Sequence, residues 1–341
     1  MRATCRDDVK ASGEDVDDWW ISCPPAGGGG LTWRELAHET PECRDALPGG
    51  GERPLGIPTV KDRIAQAAAK LVLEPVFEAD FTDDAYGYRP RRSAQDAVRA
   101  VHRALKAGHV HVVDADLSKY FDTIPHAELM RSVARRISDG AVLHLIKMWL
   151  TAPVEERSEN GKPTRRSTGN RGTPQGGVLS PLLANIYMRR FLKAWEQFGH
   201  DRKFGSRIVN YADDFVILCR REAPEALRAA REILTRIGLV LNETKTRVCR
   251  APDEAFDFLG YRFGVQHLFG SGRPYTAAFP SEKSVGRLKE KLRRMIGTHM
   301  SWQSEEELFF TRLGMRCFRG FDFGLYSIWG YLSNFGGSSQ G

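Results

Sequence analysis

The sequence predicts an α+β fold, and three observations predict it. Two strand-like runs carry acidic residues at one end, HVHVVDAD over 109–116 and the stretch around Asp213-Asp214. Helical patterns stand before and after each run, and there is no internal repeat. That order suits a β-layer with helices packed on it better than a doubly wound sheet. A chain of 341 residues can bury a large core, as two domains or as one with an appendage.

Composition narrows the class. Hydrophobic residues at 41% and charged residues at 27% are ordinary for a soluble globular protein. The excess of 50 Lys+Arg over 43 Asp+Glu hints mildly at a polyanionic partner. Cys5, Cys23, Cys43, Cys219, Cys249 and Cys317 are scattered without zinc-ligand spacing, which points to reduced thiols and a cytoplasmic protein. No N-terminal apolar leader and no apolar run near the ~18 residues of a membrane span is present, so no membrane partner is expected.

Taken in order, residues 1–49 show neither helical nor strand period, apart from a short helical piece around Trp33 to His38, and read as an atypical, loosely ordered segment. After the basic, Pro/Gly-punctuated RPLGIPTVKDR comes a helix with Ile64, Ala68, Leu71, Val72 and Phe77 at helical spacing. The loop DAYGYRPRRS precedes a second helix, Ala94 to Lys106, and then the first acidic strand. Pro125–Arg136 and Gly140–Leu150 are helical, with Leu145, Met148 and Trp149 as core candidates. The charged loop GKPTRRSTGN leads through GTPQGGVLS to a helix from Pro181 to about Trp195. Beyond the Asp-Asp stretch, Pro224 to Gly238 is an amphipathic helix ending at glycine. LVLNETKTRV and FDFLGYRFG read as short strands, and Ser284–Ile296 and Glu305–Leu313 as helices.

The stretch SRIVNYADDFVILCRR carries the sharpest chemistry. Ile208-Val209 and Phe215 to Leu218 favour strands, so a β-hairpin with its tip near Ala212-Asp213-Asp214 is expected. Adjacent carboxylates there suit a shared cation, and they equally suit a solvated turn. In the earlier strand, period two puts Asp114 and Asp116 on one face. Carboxylates brought together from two strands would make a hard oxygen site for Mg²⁺.

Asp116 with Phe121-Asp122, then TPQGGVLSPLLANIYM, then YADD, resemble in that order motifs A, B and C of a reverse transcriptase. RPLGIPTVKDRIAQAAAKLVLEPVFEADF, YGYRPRRSAQDA and FDFLGYRF further resemble the enzymes encoded by bacterial group II introns. The likeness runs from about residue 50 to about 265. It implies a right-hand polymerase fold with fingers and palm over 50–265 and a partial, shortened helical thumb or maturase-like region over 266–341.

What the resemblance implies can be written residue by residue. Asp116 and Asp213 would hold two Mg²⁺ ions, with Asp214 assisting; Asp114 is not a ligand position. Phe121 falls where the family keeps a gate against the ribose 2′-OH, and a core aromatic is its plainer reading. Gln175 and Gly176 would lie against the incoming nucleotide, although Gly176-Gly177 also suits a helix lead-in. Arg53, Lys61 and Arg63 occupy the fingers region, where a triphosphate needs convergent cations. Lys245 matches a lysine placed to protonate pyrophosphate, or is a solvated strand-edge lysine. Arg89, Arg91 and Arg92 with Tyr86 and Tyr88, and the loop Lys162, Arg165 and Arg166, suit a template–primer groove. Arg287, Lys291 and Arg294 share a helical face resembling the start of a thumb that grips duplex and intron RNA.

Residues before Gly50 and after about 315 depart from the family pattern, so the resemblance implies a form shortened at both ends. The expected activity is RNA-directed DNA polymerisation from deoxynucleoside triphosphates on an RNA template. The alternatives are a maturase-like splicing factor that binds RNA, or an inactive relic. An RNA-directed RNA polymerase is disfavoured by the bulk of Phe121.

Overall fold

The computed structural model describes residues 40–46, 52–56, 58–157, 163–166, 169–174, 176–251, 253–267 and 274–295. The helices expected at Trp33–His38 and Glu305–Leu313 lie outside them. The chain divides into two units, one up to Glu254 and one from Ala255 onward.

The first unit begins with strands β1 (Thr40–Ala46) and β2 (Glu52–Gly56), then helices α1 (Val60–Glu78) and α2 (Ala94–Lys106). Strand β3 (His111–Asp116) follows, then the single turn α3 (Tyr120–Thr123), α4 (His126–Ala134) and α5 (Gly140–Thr151). Next come β4 (Val154–Arg157), β5 (Pro163–Arg166), α6 (Ser180–Gln197) and the turn α7 (His200–Lys203). The hairpin β6 (Ser206–Tyr211) and β7 (Asp214–Cys219), helix α8 (Ala223–Arg236) and β8 (Arg247–Arg250) complete it. The second unit holds β9 (Phe256–Phe258), β10 (Tyr261–His267) and β11 (Pro274–Pro280), a three-stranded antiparallel sheet, and helix α9 (Glu282–Met295).

Local chemistry accounts for the helix starts. Ser93 and Asp96 form a capping box at α2, Asp139 accepts from the N–H groups of Ala141 and Val142 at α5, and Thr59 accepts from Asp62 at α1. Helix α8 is followed by Gly238 at φ +75°, a left-handed backbone that glycine adopts without strain.

The central sheet has the order β6-β7-β3-β8 and is antiparallel throughout. Alternation along the strands sends Val113, Ala115, Ile208, Phe215 and Ile217 into one core with α6 and α8. The opposite face carries Val112, Val216 and Leu218, fully buried where α2 lies over β6 and β7. Further along that face stand Asp114, Asp116 and Asp214, beyond the apolar cover. The sheet is thus a sandwich at one end and carries partly buried carboxylates at the other.

Three differences from the sequence reading have physical causes. Helix α1 does not bury Ile64, Leu71 and Val72, which are 66%, 75% and 71% exposed; its inward face is Asp62, Gln66, Leu73 and Phe77. Gln66 sits on that face because it hydrogen-bonds across it to Val178 and Leu179, and Asp62 because it bonds Thr59 at the helix start, neither of which an apolar periodicity can reveal. The second difference is a sheet of order β2-β1-β4-β5 where 40–49 and 163–166 read as irregular. Its β1–β4 pairing is parallel and distant in sequence, so no hairpin signal announces it. The third is that LVLNETKTRV is a strand only from Arg247, with Lys245 on the preceding turn.

Candidate active site

Strand register builds the acidic centre. Asp116 and Asp214 are direct partners in the β3–β7 pair, which puts both side chains on one face. Tyr211 pairs with Asp214, so Ala212 and Asp213 form a two-residue turn with Ala212 at φ +58°. The backbone carbonyl of Asp213 accepts from Leu117 at 3.4 Å, bringing the turn beside the end of β3. Asp114 shares the face, and its carboxylate is held by Arg247 of β8 at 3.2 Å.

Electrostatics give this face a concentrated negative field. Burial, and then the charges of Asp213, Asp116 and Asp114, push the Asp214 carboxyl up to about 7. The Lys245 ammonium is 2.8 Å from Asp116 Oδ2 and is raised by that hydrogen bond. Asn242 orients the same carboxylate, donating from Nδ2 to Oδ2 at 3.1 Å while its backbone N–H donates to the Asp116 carbonyl. Among the described residues no three ligating side chains form a ready-made metal cage. The donor set is nonetheless hard, crowded and anionic, and fits a divalent ion that keeps water and substrate oxygens in its shell.

Beside the carboxylates, the loop 170–179 is stapled to the chain after β3. Thr173 N–H donates to the Phe121 carbonyl at 2.6 Å and Gly172 N–H to that of Ile124 at 2.8 Å. From α1, the buried Gln66 accepts through Oε1 from the N–H groups of Val178 (2.9 Å) and Leu179 (3.4 Å). Gly176 is exposed at φ +109°, a conformation closed to most side chains, and a Cβ on Gly177 would lie 2.6 Å from Ser180 Oγ. Gln175 lies outside the described residues.

Phe121 is partly buried against the core and packs edge-on with Tyr120 at 5.6 Å and with Tyr88 at 6.4 Å. Tyr88 also approaches the Tyr211 ring at 6.2 Å. The loop bearing Tyr88 is tied to the β6–β7 hairpin. Tyr86 N–H donates to the Asn210 carbonyl, and Asn210 N–H to that of Asp84, each at 2.8 Å.

The basic residues separate into different roles. Arg89 is 7% exposed and is not part of a phosphate-tracking surface. It forks onto Glu78 at 2.7–3.1 Å and donates to the carbonyls of Thr82 and Ala85. A buried planar fork with four of its five N–H donors engaged inside the protein is poorly placed to reach template. Arg92 is half-buried and donates to the exposed Asp83 at 2.7 Å, with its guanidinium over the Tyr86 ring. Arg91 is exposed, as are Lys61 and Arg63. Arg63 lines a concave surface with Val60, Ile64, Ala67 and Val178. On α9 of the second unit, Arg287 and Lys291 are exposed. Lys162 and the side chains of Arg53, Arg165, Arg166 and Arg294 lie outside the described residues.

Gln66, Asn242 and Asn185 were missed from sequence, where a lone amide carries no periodic or motif signal. Asn185 is buried and donates to the Gly87 carbonyl at 2.7 Å.

Comparison with known proteins bears on this geometry. Residues 47–263 match the family described as reverse transcriptase (RNA-dependent DNA polymerase). Protein YkfC of Escherichia coli K12 is 34% identical over 275 residues, 69% of this chain and 69% of that protein. The group II intron-encoded protein LtrA of Lactococcus lactis subsp. cremoris is 38% identical over 141 residues, 41% of this chain but 22% of that protein. Among solved structures, telomerase from Candida albicans in complex with a fragment of telomeric RNA superposes with TM-score 0.54. It is 12% identical and covers 74% of this chain and 50% of that one, a likeness of fold alone. No helix among the described residues is long and apolar enough to cross a membrane. With the acidic strand pair, the ordered motifs and the family match in agreement, the chain belongs to the reverse transcriptase family, and it is similar to a group II intron-encoded member of it.

Proposed function

We propose that this chain extends the 3′-OH of a DNA or RNA primer on an RNA template, using deoxynucleoside triphosphates and releasing pyrophosphate. The observation that carries the reading is the register opposing Asp116 to Asp214 with Asp213 in the adjoining turn. Asp116 and Asp213 would hold two Mg²⁺ ions, with Asp214 beside them. When bound, such ions supply Lewis-acid stabilisation of the attacking and leaving oxygens.

The remaining roles belong to the protein's own groups. Lys245 keeps a proton at Nζ within the acidic centre and is the general acid for the departing pyrophosphate. Exposed Arg63 and Lys61, with Arg53, offer cationic donors to the triphosphate. Gly176, without a side chain, leaves room beside the base pair, and Gln175 packs against the incoming nucleotide. Phe121 occupies the space a 2′-OH would need and so selects deoxynucleotides. Arg91 and the loop of Lys162 and Arg165 track the template–primer backbone, and Arg287, Lys291 and Arg294 grip the duplex or intron RNA. A role confined to RNA binding leaves the opposed carboxylates unexplained, because like charges directly across a strand pair only destabilise it.

The test is primer extension on an RNA template with wild type beside Asp213→Ala. Incorporation by wild type that the variant loses supports the reading; equal incorporation by both ends it.

A further inference from the structure

We propose that Tyr88 is a positioning residue for sugar discrimination, acting as the outer wall that holds the Phe121 ring in place. The proposal rests on the reading of Phe121 as the gate against the 2′-OH.

Phe121 has two aromatic neighbours of different character. Tyr120 is buried and fixed, its hydroxyl donating to the Ala184 carbonyl at 2.6 Å. Tyr88 is 48% exposed, and its ring meets Phe121 nearly perpendicularly, at 73°. The Phe121 backbone is held by Thr173, so what remains to be set is the ring. An edge-to-face neighbour on the open side restricts the ring's swing. Without it, Phe121 can turn outward into the volume Tyr88 occupied and widen the pocket.

The backbone of Tyr88 is unusual enough to need a reason. It sits at φ +55°, a left-handed conformation uncommon for an aromatic residue. Such conformations persist where surrounding structure over-determines them. Here the preceding Gly87 has its carbonyl held by Asn185, and a Cβ on it would lie 2.5 Å from the Ala212 backbone nitrogen. The loop is therefore locked against the same hairpin turn that carries Asp213. That lock sends a large ring to the surface next to Phe121 and Tyr211, where a side chain serving only the core would be covered.

The experiment measures incorporation of a deoxynucleotide and the matching ribonucleotide, each with kcat and KM, by wild type, Tyr88→Phe, Tyr88→Leu, Tyr88→Ala and Phe121→Val. The ratio of the two kcat/KM values does not depend on how much of each preparation is folded. Expected is a loss of discrimination of about tenfold in Tyr88→Ala, arising from a lower KM for the ribonucleotide. Tyr88→Phe should stay near wild type and Tyr88→Leu should fall between. An unchanged ratio in Tyr88→Ala and Tyr88→Leu alongside a collapsed ratio in Phe121→Val overturns the proposal and leaves the gate standing. A ratio unchanged in Phe121→Val removes the gate itself, and the proposal with it. Equal losses for both nucleotides in Tyr88→Ala assign the residue to loop structure and overturn it as well.

Discussion

Asp116 and Asp214 stand directly opposite one another across the β3–β7 pair, with the Lys245 ammonium 2.8 Å from the Asp116 carboxylate. A sheet selected for stability alone would not put like charges in that register. The arrangement trades fold stability for a concentrated negative field, and its consequences are measurable.

Asp214 makes stability depend on pH. Its carboxyl lies at about 7 when folded, against 3.8 for an ordinary aspartate, so the folded chain binds the proton more tightly. Between those values stability falls as pH rises, and above about 7 the loss is complete and constant. Without divalent cation, Asp214→Asn should flatten that slope and gain on the order of 2 kcal/mol at pH 8 after allowance for solvent screening. Urea unfolding at pH 5 and pH 8 checks it; parallel pH profiles for wild type and variant would contradict it.

Mg²⁺ should stabilise the wild type. A ligand that binds the folded state alone raises the melting temperature by mass action. The shift should shrink sharply in Asp116→Asn and Asp213→Asn, and vanish when chelator is added. Thermal melts with and without millimolar Mg²⁺ measure it without requiring activity.

Lys245 should matter to turnover more than to binding. Lys245→Ala is expected to lower kcat by about 10–100-fold with little change in nucleotide KM, because a general acid acts on the leaving group. Rapid-quench single-turnover measurements separate the two. A rise in KM with kcat intact would recast Lys245 as a binding residue.

Arg89 should behave as a structural clamp. Removing the buried Arg89 leaves the partly exposed Glu78 and two carbonyls short of donors, so Arg89→Ala should cost about 2–3 kcal/mol. Arg91→Ala, at an exposed position, should leave stability within about 0.5 kcal/mol and weaken RNA binding at low salt. Chemical denaturation and filter binding report the two effects.

Gln66 links α1 to the loop before α6. Gln66→Leu deprives the Val178 and Leu179 N–H groups of their acceptor, at a cost of about 1–3 kcal/mol. It should also raise nucleotide KM as 176–179 loosens. Unchanged melting temperature and KM together would show that water replaces the side chain.

Much of the acidic centre was legible before any coordinates. Asp213-Asp214 near a hairpin tip and Asp116 at the end of a strand follow from local signals (β-branched runs, alternation and turn residues), and the order of the motifs follows from resemblance to a known family. Helices α2 and α8 were readable for the same reason, since amphipathic stripes and caps lie within one segment. The face of α1 was not, because Gln66 is buried by partners 112 and 113 residues away. Arg89 misled for a related reason. A basic residue among arginines and tyrosines reads as surface until Glu78 closes on it.

The sequence by itself determined most of the helices, the strands of the acidic centre, the carboxylate inventory and the family, because backbone preference and motif order are carried by neighbouring residues. Tertiary structure alone decided which carboxylates oppose each other, which arginine is buried, and that Tyr88 stands beside Phe121. Those relationships depend on strand register and long-range packing, where a one-residue slip would send every side chain to the other face.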